Sequence, residues 1–229
     1  MQLLVSPSSI EEAKVSLSAD IIDVKRPAEG SLGANFPWVI RSVKALAREK
    51  PVSAAIGDFA FKPGGAALSA YGAACAGADY IKIGLMFDGV ERAGEVIRAV
   101  TKAVKDEFPE KFVVIAAYSD YERLGTVSPL EISALAADAG ADVAMVDTGI
   151  KDGKTTFEFM PEDALRGFTE QNYALGLRTA IAGSLKFEDL GLLKKIDPDI
   201  IGVRGMVCGG DRSDTIRADL VSKALSMIR

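Results

Sequence analysis

A chain of 229 residues, 48% hydrophobic and 26% charged, is long enough for one large domain and too apolar to be disordered. Its net charge of -5 provides no general cationic surplus for a nucleic-acid backbone, although a local basic pocket stays compatible with it. The chain has no histidine, which excludes a Ser-His-Asp triad, a His-ligated zinc and His-assisted isomerisation, and leaves proton transfer to Lys, Asp, Glu, Tyr or Cys.

In chain order, short β-branched runs alternate eight times with segments of helical apolar spacing. Strands are expected at QLLVS from Gln2, DIIDVK from Asp20, VSAAIGD from Val52, YIKIG from Tyr80, FVVIAAYS from Phe112, VAMVD from Val143, RTAIAG from Arg178 and IIGVRG from Ile200. Helices are expected between them, with start signals at Ser9, at Ser128 with Pro129, and at Pro161, and stop signals at Gly140 and Gly176. The phrase small residue, Ala-Asp, strand recurs as SADIIDVK, GADYIKIG and GADVAMVD, with PDIIGVR as a weaker echo. It introduces the second, fourth, sixth and eighth strands, as repeated double βα units would. The expected fold is a single-domain (β/α)8 TIM barrel over residues 1–229. A doubly wound sheet shares the rhythm, but its G-x-G-x-x-G signature is absent after the first strand.

No run approaches the ~18 uninterrupted apolar residues of a membrane span, and MQLLVSPSS lacks a basic leader pattern, so a cytoplasmic chain is expected. Cys75 and Cys208 each stand alone and are expected to be buried small apolar residues. No paired-cysteine zinc site is suggested, and no metal is expected.

Strands of a barrel are buried on both faces, so a charge within one is costly unless paired or functional. Asp23 and Lys25 share parity in DIIDVK, Lys82 sits mid-strand in YIKIG, Asp147 closes VAMVD, and Lys151 follows in the next loop. Alternate strands contribute to common interior layers, so Asp23, Lys25, Lys82 and Asp147 are expected to converge near the C-terminal mouth. The competing interpretation is a buried ion-pair network, and Lys25 alone could be a solvated strand-end lysine. Crowded, desolvated lysines have lowered pKa values and serve as nucleophiles or bases.

After the seventh strand come Gly183 and Ser184; after the eighth come Arg204, Gly205, Gly209 and Gly210. These positions suit a phosphate held by backbone N–H groups, with Arg204 or Arg212 adding a charged contact; tight turns are the plainer interpretation. Asp58 is a candidate acid or helix cap, and Tyr118 and Asp120 could reach the mouth. Phe36, Pro37 and Trp38 suit packing or an oligomer contact better than a substrate platform. KDGKTTFEF after Ile150 is long enough to be a lid.

The blocks LLVSP, ADIIDVKRPAEGSLGANFPWVI, GADYIKIG, ADVAMVDTGIKDGKT and IIGVRGMVCGGDR resemble the (5-formylfuran-3-yl)methyl phosphate synthase family of methanofuran biosynthesis. The resemblance implies condensation of two glyceraldehyde 3-phosphate molecules into a phosphorylated furaldehyde, without metal or organic cofactor. It places a Schiff-base lysine at Lys25, a proton-accepting lysine at Lys82, a third site lysine at Lys151, and acidic neighbours at Asp23 and Asp147. The implied partners are small phosphorylated aldehydes, with no membrane or nucleic acid, and a homo-oligomer is possible. A Schiff-base aldolase or transaldolase and a non-catalytic phosphometabolite-binding barrel are the alternatives.

Overall fold

The computed structural model describes residues 1–229. Its strands are β1 (Gln2–Val5), β2 (Ile21–Val24), β3 (Val52–Phe59), β4 (Tyr80–Leu85), β5 (Phe112–Tyr118), β6 (Val143–Asp147), β7 (Arg178–Ile181) and β8 (Ile200–Val203). They are parallel and close in sequence order, with β8 pairing β1. A closed barrel leaves no sheet edge, and the open doubly wound alternative falls with that pairing.

The helices are α1 (Ile10–Val15), α2 (Pro37–Ala47), α3 (Pro63–Cys75), α4 (Val90–Lys105), α5 (Tyr121–Leu124), α6 (Pro129–Asp138), α7 (Glu162–Ala174), α8 (Leu190–Ile196) and α9 (Ala218–Ile228). Ser9 caps α1 by accepting from Glu12 N–H, and Ser128 opens α6 in a capping box with Glu131. Gly140 and Gly176 follow α6 and α7 with φ of 76° and 75°, the left-handed conformation that ends a helix. No helix is long and apolar enough to cross a membrane.

The recurring Ala-Asp phrase has a structural cause. The carboxylates of Asp20, Asp79, Asp142 and Asp199 accept hydrogen bonds from the backbone N–H of Leu3 (2.9 Å), Val52 (2.7 Å), Val113 (2.7 Å) and Thr179 (2.8 Å). Each aspartate thus ties the start of an even strand to the odd strand before it. Three of them also accept through their own carbonyl from the odd strand that follows: Asp79 from Phe112, Asp142 from Arg178 and Asp199 from Gln2. At the fourth equivalent place stands Pro51, which has no N–H to give. The result is a hydrogen-bonded ring around the N-terminal end of the barrel.

Counting from these aspartates sorts the even-strand interior into tiers, because alternate residues of a strand point the same way. The residues next to the aspartates, Ile21, Tyr80, Val143 and Ile200, belong to the apolar cluster inside the barrel. Three residues on from each aspartate are Asp23, Lys82, Met145 and Gly202; five residues on are Lys25, Gly84, Asp147 and Arg204. The interior therefore passes from an apolar floor to a charged mouth, while a larger apolar cluster fills the space between strands and helices.

Candidate active site

The charged tiers open into a cavity of about 740 Å³ lined by Lys25, Lys82, Asp147, Lys151, Gly183, Ser184, Arg204, Gly205, Gly209 and Gly210, with Ser6 and Arg212 among others. Of the residues singled out from sequence as the site, only Asp23 is not on the cavity wall. It lies behind Lys82, wholly buried.

Lys82 Nζ donates to Asp23 Oδ2 at 2.8 Å, and both side chains are buried. Asp23 accepts two further hydrogen bonds, from Ser6 Oγ at 2.8 Å and Ser53 Oγ at 2.7 Å. Burial alone would raise the Asp23 pKa, but the charges of Lys82 and Lys25 and these hydrogen bonds outweigh it and hold the carboxyl below its ordinary value. Asp23 and Lys82 therefore form an ion pair with every carboxylate contact supplied by the barrel wall.

Lys25 is situated differently. It is 6% exposed, and its Nζ has one hydrogen-bond partner, the carbonyl of Ser31 at 3.5 Å. Burial, with the positive charges of Lys151 and Lys82, outweighs the attraction of Asp147 and Asp23 and lowers its pKa to about 7. At neutral pH about half of such lysines carry a free amine. The strand-end lysine is not a solvated one.

Asp147 Oδ1 accepts from Lys151 Nζ at 2.6 Å and from Thr148 N–H at 2.8 Å, and Lys151 also donates to Thr148 Oγ1 at 3.0 Å. Burial opposes ionisation of Asp147, yet Lys151 and Lys25 hold its pKa below the ordinary value. The mouth thus contains two charge pairs, Asp23 with Lys82 and Asp147 with Lys151, and one amine left over.

The other polar candidates position loops. Asp58 is neither a cavity acid nor a helix cap: its carboxylate accepts from Leu32 N–H at 3.1 Å and from the buried Tyr118 hydroxyl. Asp120 accepts from Gly149 and Ile150 N–H at 2.7 and 3.0 Å, holding the loop that carries Lys151. Ser31 Oγ donates to the Thr148 carbonyl at 2.8 Å, tying the loop after β2 to the loop after β6.

Gly183 has φ of 103° and packs so close to Thr148 and Thr156 that a side chain has no room; Ser184 follows at φ 50°. Gly209 and Gly210 have φ of 87° and 113°. These turns bring backbone to the cavity without intervening side chains. In the expected lid, Thr156 is fixed by N–H to Gly183 O at 3.0 Å and Oγ1 to Ala182 O at 2.6 Å, while Lys151 is held by Asp147 and Asp152 accepts from Arg123 Nη2 at 2.8 Å, so the segment is anchored at both ends.

Two further expectations need correction. Arg204 lines the cavity, but all five of its N–H groups are taken up, by Glu12, Ser6 O, Arg212 O and Asp214 O, leaving none for a phosphate. Cys75 is exposed rather than buried, whereas Cys208 is buried as expected. Phe36 and Trp38 stack on each other at the surface, centroids 4.5 Å apart, outside this cavity.

Residues 3–225 match a family model described as 4-HFC-P synthase. The (5-formylfuran-3-yl)methyl phosphate synthase of Methanosarcina mazei is 60% identical over 99% of this chain and 98% of its own length. That of Archaeoglobus fulgidus is 49% identical over 100% and 99%. Among solved structures, 3-hexulose-6-phosphate synthase from Salmonella typhimurium superposes with a TM-score of 0.64 over the whole of both chains, at 22% identity. KGPDC from Streptococcus mutans does so at 0.64 over 99% and 98%, at 16% identity. These two likenesses concern the barrel fold alone.

Proposed function

Because the chain belongs to the (5-formylfuran-3-yl)methyl phosphate synthase family, we propose that it condenses two molecules of glyceraldehyde 3-phosphate into (5-formylfuran-3-yl)methyl phosphate through a Schiff base on Lys25, within methanofuran biosynthesis. The observation that carries this proposal is Lys25 itself: a buried amine on the cavity wall, lowered to about 7, with no ionic hydrogen-bond partner. Such an amine is a nucleophile for aldehydes at neutral pH.

Lys25 attacks the aldehyde carbon of one triose phosphate, and the carbinolamine loses water to give an iminium. Lys82 enters as the ammonium half of its pair with Asp23 and supplies the proton for that departure. Its amine, now neutral, takes the proton from the adjacent carbon, which the iminium has acidified. This order reconciles Lys82 as an acceptor of the carbon-bound proton with its ion-paired resting state. Asp23 stays fixed by Ser6 and Ser53 and orients Lys82 through both steps. The enamine expels phosphate to leave an unsaturated iminium on Lys25. Its terminal carbon bonds to the second carbon of the other triose phosphate, taken as its enediol, and ring closure, loss of two waters and hydrolysis of the iminium release the furan and the free Lys25 amine.

The balance is two triose phosphates giving one furan phosphate, one inorganic phosphate and two waters. No oxidation or reduction occurs, so the stoichiometry calls for no redox cofactor, and the chain acts as a carbon–oxygen lyase. Asp147 and Lys151 relay protons at the upper tier, and the backbone at Gly183, Ser184, Gly205, Gly209 and Gly210 receives a phosphate. The reaction is tested by incubating the protein with glyceraldehyde 3-phosphate and following furaldehyde absorbance together with free phosphate. Borohydride reduction followed by peptide mass analysis is expected to mark Lys25. An open-chain product that keeps both phosphates would instead identify an aldolase, and a label on another lysine would overturn the nucleophile.

A further inference from the structure

With the donors of Arg204 fully engaged, the cavity still needs a cation to meet a phosphate dianion. Three other basic side chains stand on the same part of its wall. Lys186 is exposed at the rim, and Arg217 is exposed and paired with Asp219 at 2.7 Å. Arg212 is only partly exposed, and its Nη2 is buried without a hydrogen-bond partner. A buried guanidinium N–H left unpaired is costly and marks a place where an acceptor belongs. The neighbouring acid does not supply it: Asp211 accepts instead from Ser213 N–H at 2.9 Å and Ser213 Oγ at 2.7 Å.

Arg212 is also held in place from behind. Arg204 Nε donates to the Arg212 carbonyl at 2.8 Å, and Arg204 is in turn gripped by Glu12 of α1 at 2.8 and 3.2 Å. Glu12 accepts from Ser8 N–H and Oγ at 2.7 and 2.9 Å, so the chain of contacts runs from the loop after β1 to the loop after β8. Arg212 and Asp147 line the same cavity.

We propose that Arg212 is the guanidinium that binds substrate phosphate, and that Glu12 and Arg204 are positioning residues that aim it. The proposal deepens the functional reading above by identifying the cation at its phosphate site. Inorganic phosphate serves as the probe, because its binding is measured without turnover and stays readable even if no furan forms. Titration calorimetry of the whole protein is expected to show phosphate binding that weakens about ten- to a hundredfold in Arg212→Ala, the loss of one charge-assisted contact, and by less than about twofold in Arg217→Ala. Arg212→Lys, a point charge without the fork, is expected to recover part of the affinity. In kinetics, Arg212→Ala raises KM for glyceraldehyde 3-phosphate more than it lowers kcat. Glu12→Gln shifts KM the same way by a smaller factor, and a merely structural role would lower active-enzyme concentration without moving KM. Phosphate affinity unchanged in Arg212→Ala, or absent in the wild-type protein, overturns the proposal. Borohydride labelling that misses Lys25 overturns the Schiff-base reading and leaves this one standing.

Discussion

The two ends of the barrel use the same residue for opposite purposes. At the N-terminal end, Asp20, Asp79, Asp142 and Asp199 make one and the same contact, a carboxylate on a backbone N–H at the start of an odd strand. At the C-terminal end, Asp23 and Asp147 are ion-paired with lysines, while Asp58 and Asp120 each hold a loop. Repetition marks the end that closes the fold, and variety marks the end that does chemistry. The distinction follows from the partners: all four lower aspartates meet the backbone of an odd strand at the same place, while the upper ones meet lysine ammonium groups at Asp23 and Asp147 and loop N–H groups at Asp58 and Asp120.

That contrast is broken or sharpened most strongly at Lys25. Lys25→Met is expected to lower turnover about a thousandfold or more, measured by furaldehyde absorbance, while the fold survives. It is also expected to raise Tm. The folded pKa near 7 lies below the ordinary 10.5, so the unfolded chain binds more protons between those values. The contribution of Lys25 to stability therefore rises with pH across that window and is flat below it. Its removal should stabilise more at about pH 6 than at about pH 9, a difference readable in thermal melts. Asp23→Asn comes next, with activity reduced about a hundredfold and stability lowered by roughly 3 kcal/mol in denaturant titration, because Lys82 is left buried without its counter-charge.

A smaller effect is expected from pH. In the wild-type protein kcat/KM should climb about tenfold per unit below a pH of about 7 and level off above it, as the nucleophile loses its proton. Smallest of all, Asp79→Ala at the lower ring is expected to cost about 1–2 kcal/mol with kcat unchanged. A lower-ring substitution that abolished turnover without unfolding would erase the division between the two ends.

The strand order and most of the mouth were legible in the sequence because a charge inside an apolar run is conspicuous: Lys82 in YIKIG and Asp23 in DIIDVK cannot be ordinary core residues. Ser53 was equally visible, a hydroxyl in a strand buried throughout its first half, and its contact with Asp23 could have been anticipated from parity. Arg204 pointed correctly to the β8 loop, but its role depends on Glu12, a residue 192 positions away that looks like any first-turn acid. No local signal records such a pairing. Cys75 was misplaced for a related reason: α3 has no charged residue, so its exposed side is as apolar in sequence as its buried one. The ring aspartates were seen as a repeat, but the N–H groups they serve carry no sequence of their own.

The ring also works as a ruler with its zero at the aspartates. Every interior position of an even strand is a fixed odd count above that mark, so chemistry changes by exchanging a residue at a count, not by moving the strand. One extra residue between Asp142 and Asp147 would turn the carboxylate toward the helices and Val146 toward the cavity. Two extra residues would return it to the interior one storey higher, above Lys25. Distance in this barrel is quantised in pairs of residues.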